Sequence, residues 1–261
     1  MKRTALDQTV LKVSGLHKNF DGVDVLNGVS FNINRGEVVA LLGDNGAGKS
    51  TLVNCLAGRI QPNKGTIEIN EQALLLNSPS ASEQAGLAIV HQDLALVNEL
   101  SVIENLFLNR EILHSNKFLR FFGWLDKSAM AKKAQKLLQR LGTYLPDLNA
   151  PVATLSGGQK QVIAIIRAVH AGADIIVMDE PTSALGAEQY EFLMSLIRLL
   201  SSQGIAIMLI SHNLHQVSML CDRAVVLFQG YSVADVALNE VDQAQLLAYM
   251  NGAVLEMAQA S

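Results

Sequence analysis

Hydrophobic positions along this chain fall into two rhythms. Residues 11–16 and 29–33 alternate loosely between apolar and polar, the period of strands with one wet face. Residues 38–42, 87–90, 175–178 and 205–210 are instead continuous apolar runs. Strands read that way when both faces are covered, as in parallel sheets flanked by helices. Helical patterns lie between the runs, so the spacing predicts an α/β core, mainly parallel, preceded by antiparallel strands.

Residues 93–151 have a different rhythm. Met130, Ala134, Leu137, Leu138 and Leu141 share one helical face, while Lys132, Lys133, Lys136 and Arg140 between them can stay in water. This stretch reads as a helical subdomain inserted into a core made of residues 1–92 and 152–250. The whole of residues 1–261 is then a single domain. Residues 241–250 read as a closing helix, with no regulatory domain expected after it.

Composition narrows the function. Hydrophobic residues make up 49% of the chain and charged residues 17%, ample for a buried core. The net charge is −4 and no basic face stands out, which argues against a nucleic-acid partner. Cys55 and Cys221 lie far apart and form no CxxC pair, as expected of a reducing compartment without a cysteine metal site. The first residues carry no secretory signal, and no apolar run approaches the ~20 residues needed to span a bilayer. A chain soluble by itself is expected, acting at a membrane only through a partner.

The chemistry starts at Gly43, Asp44, Asn45, Gly46, Ala47, Gly48, Lys49, Ser50 and Thr51, which fit G-x-x-x-x-G-K-[ST] between an apolar strand and a helical stretch. Glycines there let the backbone wrap phosphate oxygens, and the helix start aims partial positive charge at them. Lys49 would reach the β- and γ-phosphates and Ser50 would ligate Mg²⁺. The run 175–178 ends in two carboxylates, Asp179 and Glu180, at the strand end where α/β sheets bind ligands. Asp179 suits Mg²⁺ and Glu180 suits a general base on the attacking water. His212 follows the run 205–210 and can reach a γ-phosphate. Gln92 follows the run 87–90 and can contact both metal and water. Phe20, in a loop between the first two strands, is either an adenine-stacking ring or a core aromatic at a turn.

A second anion site follows at Ser156, Gly157, Gly158 and Gln159. Ser156 would cap a helix whose first amides stay unsatisfied. One loop already holds the phosphates, and a dimer gives the second site a purpose: each copy covers the ATP held by the other. At this point the chain resembles the ABC ATPases, P-loop NTPases whose characteristic LSGGQ motif stands here at residues 155–159. The resemblance runs from about residue 11 to 250. It implies ATP and Mg²⁺ as cofactors, Phe20 on adenine, Gln92 as the Q-loop and His212 as the switch histidine. Ser183, Ala184, Leu185 and Gly186 match the D-loop, with Gly186 where that motif usually ends in Asp.

Residues 43–48, 91–105 and 179–186 further resemble ATP-binding subunits of ribose-, xylose- and fructose-type sugar importers. That likeness implies a homodimer on the cytoplasmic side of the cell membrane. The pair would drive a permease near Gln92 and the helical segment after it, and indirectly serve a periplasmic or extracellular solute-binding protein. Other importers, an exporter or a non-transport ABC ATPase stay open as alternatives. The aromatic residues 118–124 could touch the membrane partner or pack on the helical subdomain.

Overall fold

The structure, a computed structural model, describes residues 8–74, 78–143, 147–182 and 185–253. The chain begins with β1 (Thr9–Phe20), β2 (Val23–Asn34), β3 (Val38–Leu42), α1 (Lys49–Leu56), β4 (Lys64–Ile69), β5 (Gln72–Ala73), α2 (Pro79–Gln84) and β6 (Leu87–Val90). There follow α3 (Val102–Leu106), α4 (Lys117–Phe121), α5 (Lys127–Arg140), α6 (Gly157–His170), β7 (Ile175–Asp179) and α7 (Ala187–Ser202). The order closes with β8 (Ala206–Ile210), α8 (Leu214–Leu220), β9 (Arg223–Phe228), β10 (Tyr231–Ala237) and α9 (Gln243–Met250). Two compact units result. One comprises Met1–Ile89, Ala173–Pro181 and Leu200–Ser261, the other Val90–Gly172 and Thr182–Leu199.

In the first unit, the described strands form a sheet of order β2-β1-β4-β5 and another of order β10-β9-β3-β8-β7-β6. The β1–β2 hairpin turns on Asp21 and Gly22, with φ of 48° and 90°. A two-residue turn matched to strand twist needs positive φ at both positions, which Asp-Gly supplies. Phe20 therefore pairs with Val23 as the last residue of β1 and does not lie in a loop. In the second sheet β3 runs parallel to β8 and β9, and β7 parallel to β8, as the continuous apolar runs require. Every residue of β3 and β8 is buried. Val13 and Ile67, Leu41 and Met208, and Leu52 and Leu56 of α1 join in one core. Cys55 belongs to it, and burial pushes its thiol up to about 11, so it stays a protonated, unreactive space-filler.

The second unit contains the stretch expected over 93–151, together with α6 and most of α7. Helices α3, α5 and α6 pack on one another. Their buried faces include Ile103 and Leu106, then Met130, Ala134 and Leu138, then Ile163 and Ile166. The lysines between the α5 positions are exposed, as the 3.6 period demands. Asn105 is fully buried. Its carboxamide accepts from Val97 N at 2.8 Å and donates to Val97 O at 2.9 Å, which fixes the turn before α3. Phe121 is 84% exposed and Trp124 63%. These rings face solvent, and Phe118 and Phe121 each meet Phe122 edge to face.

Helix α3 opens with a reciprocal cap: Ser101 N–H donates to Glu104 at 2.9 Å, and Glu104 N–H donates to Ser101 Oγ at 3.2 Å. The Ser101 backbone amide, then its hydroxyl, then Lys127 hold the Glu104 carboxyl down at about 2. A folded pKa below the unfolded ~4.3 gives stability that is present above the unfolded value and lost as pH falls through the folded one. Glu104→Gln should therefore cost about 0.3–1 kcal/mol at neutral pH. In urea titrations that gap should stay flat above pH ~5 and shrink towards pH ~2. A gap that does not change with pH would remove the charge from the account.

Candidate functional site

Strands β3, β8 and β7 are sheet neighbours in that order and run parallel, so their carboxyl ends open on one edge. Ligands bind at that edge in open α/β sheets. The first unit's candidates leave from it: residues 43–51 after β3, Asp179 and Glu180 at the end of β7, and His212 after β8.

The loop after β3 is shaped by close approach. A Cβ at Gly43 would lie 2.3 Å from Leu227 O, and one at Gly48 would lie 2.8 Å from Val25 O, so no side chain fits at either position. Gly48 caps α1 at φ 103° and brings no side-chain hydrogen bond. The first-turn amides are thus left for an anion. Lys49 Nζ donates to Gly43 O at 2.6 Å and Asp44 O at 2.9 Å, so the ammonium is folded over the loop it belongs to. Burial lowers its pKa, while Asp44, Asp179 and Glu180 pull the other way. A partly desolvated cation of this kind gains most from a charged phosphate. Asp44, Asn45, Gly46 and Ser50 are exposed, Ala47 is buried and Thr51 half-buried.

Glu180 sits where β7 ends. Its N–H donates to Ile210 O at 2.9 Å, tying the ends of β7 and β8 together. Its φ is 46°, a left-handed conformation that is unusual for a glutamate. His212 Nε2 lies 3.0 Å from Glu180 Oε1, so the predicted base and the predicted switch residue already meet. The turn carrying His212 is held from behind. Buried Ser211 bonds Gln216 at 3.0 Å, and Asn213 N donates to Ser211 Oγ at 3.1 Å. Neither Ser211 nor Gln216 was legible as functional, although a serine straight after a buried strand is a usable signal. Phe20 is 41% exposed, with Lys18 Nζ 4.7 Å from its ring centre. Its hairpin runs beside the phosphate loop through Val25.

The second unit carries the remaining candidates. Gln92 is exposed just beyond β6. Ser156 caps α6 reciprocally: its N–H donates to Gln159 Oε1 at 3.0 Å, and Gln159 N–H donates to Ser156 Oγ at 3.3 Å. Gly157 and Gly158 are the first two residues of α6, and their amides have no acceptor within the helix. Arg167, which the sequence did not single out, donates from α6 to Ala95 O at 2.8 Å and Leu94 O at 2.9 Å. It clamps the backbone shortly after Gln92, and a lone arginine in an apolar helix was its only sign. Of the expected D-loop, Ser183 and Ala184 lie outside the described residues, and Leu185 N donates to Thr182 O at 3.2 Å.

Comparison with known proteins gives the chain a family. Residues 26–183 match the ABC transporter family. The chain is 41% identical over 221 residues to the xylose/arabinose import ATP-binding protein XylG of Sulfolobus acidocaldarius, covering 85% of each. It is 36% identical to the fructose import ATP-binding protein FrcA of Rhizobium meliloti, over 94% of this chain and 95% of that one. The ribose import ATP-binding protein RbsA of Clostridium tetani is 37% identical over 98% of this chain, which spans 50% of that relative's length. Among solved structures, the ADP conformation of MJ1267, an ATP-binding cassette of an ABC transporter, superposes with a TM-score of 0.77 at 26% identity. That match covers 97% of this chain and 100% of the other. Sequence motifs, fold and relatives agree, and the chain belongs to the ABC transporter family as one of its ATP-binding ATPases.

Proposed function

We propose that this chain is the ATP-hydrolysing subunit of a simple-sugar importer, working as a head-to-tail pair beneath a separate membrane permease. The observation that carries the paired reading is the reciprocal cap at Ser156 and Gln159. It presents the amides of Gly157 and Gly158 as a second anion site besides the loop at residues 43–51. In the pair, Ser156, Gly157, Gly158 and Gln159 of one copy cover the γ-phosphate held by the other. Phe20 stacks on adenine. The loop from Gly43 to Thr51 wraps the phosphates, and Lys49 reaches the β- and γ-phosphates. Glu180 takes a proton from the attacking water, and His212, already 3.0 Å from that carboxylate, orients it.

Among the described residues no cluster of three or more His, Cys, Asp and Glu is placed to hold a metal by itself. Mg²⁺ needs no such cage, because it is commonly bound by one or two protein oxygens together with substrate phosphates. Ser50 and Asp179 supply hard oxygens at the same sheet edge, with Gln92 as a further contact, so the residues fit the ion. When bound, it neutralises charge developing on the phosphates.

Residues 1–261 act in this reading as one ABC ATPase domain with 93–151 as its helical part. No described helix is long and apolar enough to cross a membrane. The permease therefore holds the chain at the cytoplasmic side of the membrane, contacting it near Gln92 and the exposed rings at 118–124. A solute-binding protein delivers the sugar from outside. Three relatives are named for import of xylose and arabinose, fructose and ribose, which favours a simple sugar. Co-purification with the permease, then ATPase assays with binding proteins loaded with a panel of sugars, tests this. Stimulation by one pentose or hexose is expected. Indifference to every sugar, with stimulation by another solute class, would overturn the sugar assignment.

A further inference from the structure

We propose that Gln189 is a positioning residue for the anion-binding turn of α6. It holds the starts of α6 and α7 together through a single side chain. The inference rests on the reading that this turn covers a sister chain's ATP.

Two observations within the second unit converge on it. The first concerns the start of α7. Gly186 O accepts from Tyr190 N at 2.9 Å, so Gly186 is the residue that caps α7. Glycine has no side chain with which to serve the orphan amides. Gln189, three residues on, instead turns back: its Oε1 accepts from Gly186 N–H at 2.9 Å. Gln159 makes the same bond to Ser156 N–H at 3.0 Å at the start of α6. The α7 start thus keeps only half of the reciprocal arrangement, and Gln189 supplies that half.

The second concerns Gly158. A Cβ there would lie 2.7 Å from Gln189 Cγ and 2.9 Å from Gln189 Cβ. The methylene stem of Gln189 therefore lies flat on the α6 backbone at the residue whose amide is offered to the anion. Gly158 is buried beneath it. One end of the side chain is fixed by Gly186 and the middle by Gly158, so few of its rotamers remain. The loop behind Gly186 leads back within a few residues to Glu180. Gln189 consequently sets the spacing between Gly186 at the start of α7 and the turn that closes the partner's site. Misplacing such a turn by about 1 Å can cost up to ~100-fold in rate.

Gln189→Ala removes both grips, whereas Gln189→Glu keeps the stem and an oxygen acceptor. For Gln189→Ala we expect kcat to fall about 10-fold. Nucleotide affinity of the single chain should stay within about two-fold, because the loop at 43–51 is untouched. Gln189→Glu should recover kcat to within a few-fold. A purely structural role would lower melting temperature without changing kcat well below the transition. The failures separate in a Glu180→Gln background, where ATP-driven pairing is read by light scattering. If the chain with Gln189 does not pair, the paired reading fails. If it pairs, Gln189→Ala pairs equally well in that background, and Gln189→Ala with Glu180 intact turns over as fast as wild type, the inference about Gln189 is overturned.

Discussion

Glu180→Gln should slow ATP hydrolysis by about 10²–10⁴-fold, the range over which a positioned general base acts. Nucleotide binding should survive, because Lys49, the glycines of the loop and the α1 amides are unchanged. Glutamine keeps the size of glutamate and loses only its capacity to take a proton. The backbone bond from position 180 to Ile210 O does not involve the side chain, so the ends of β7 and β8 stay joined. The contact with His212, 3.0 Å from the carboxylate oxygen, can be kept by the carboxamide at the same place. With hydrolysis blocked, the ATP-bound pair should accumulate and be visible by size-exclusion chromatography with light scattering. Turnover within three-fold of wild type would take the base away from Glu180. A monomer with ATP bound, beside a fully active wild type, would end the head-to-tail reading.

Lys49→Ala should weaken ATP binding by about 10–100-fold, since a hydrogen bond to a charged group is worth ~1.5–3 kcal/mol. The geometry sharpens the expectation. The Lys49 ammonium is bonded to the carbonyls of Gly43 and Asp44, within the loop assigned to the phosphates. The variant loses the phosphate contact and also the tether that preshapes the loop. Fluorescent-nucleotide titration reads the affinity, and thermal melting reads the loop. Unchanged affinity would sink the phosphate-cradle assignment. The deficit should be smallest for AMP, which lacks the phosphates that Lys49 reaches.

What the sequence disclosed depended on how a residue acts. Strands covered on both faces left unbroken apolar runs, so β3, β7 and β8 were legible almost to the residue. The α5 stripe was legible because its lysines interrupt it at the helical period. The loop at 43–51 and the turn at 156–159 were legible because backbone chemistry demands glycine and a capping serine at fixed spacing. The outer halves of β1 and β2 were not. Beyond Leu16 the strand carries His17, Lys18 and Asn19, which leave no apolar alternation, and only the Asp-Gly turn betrays the hairpin. Arg167 and Gln189 were invisible for another reason. Each grips backbone atoms of a remote segment, and a carbonyl or amide looks the same whatever residue bears it.

The left-handed backbone at Glu180 sets chemistry against durability. An L-residue held there carries on the order of 1 kcal/mol of conformational strain that glycine would not feel. In the proposed reading, glycine, the residue free of that strain at this position, is one that leaves the water without a proton acceptor. A selection for heat resistance alone would drift towards silent, sturdier copies, so thermostability and turnover have to be screened together whenever this stretch of chain is engineered.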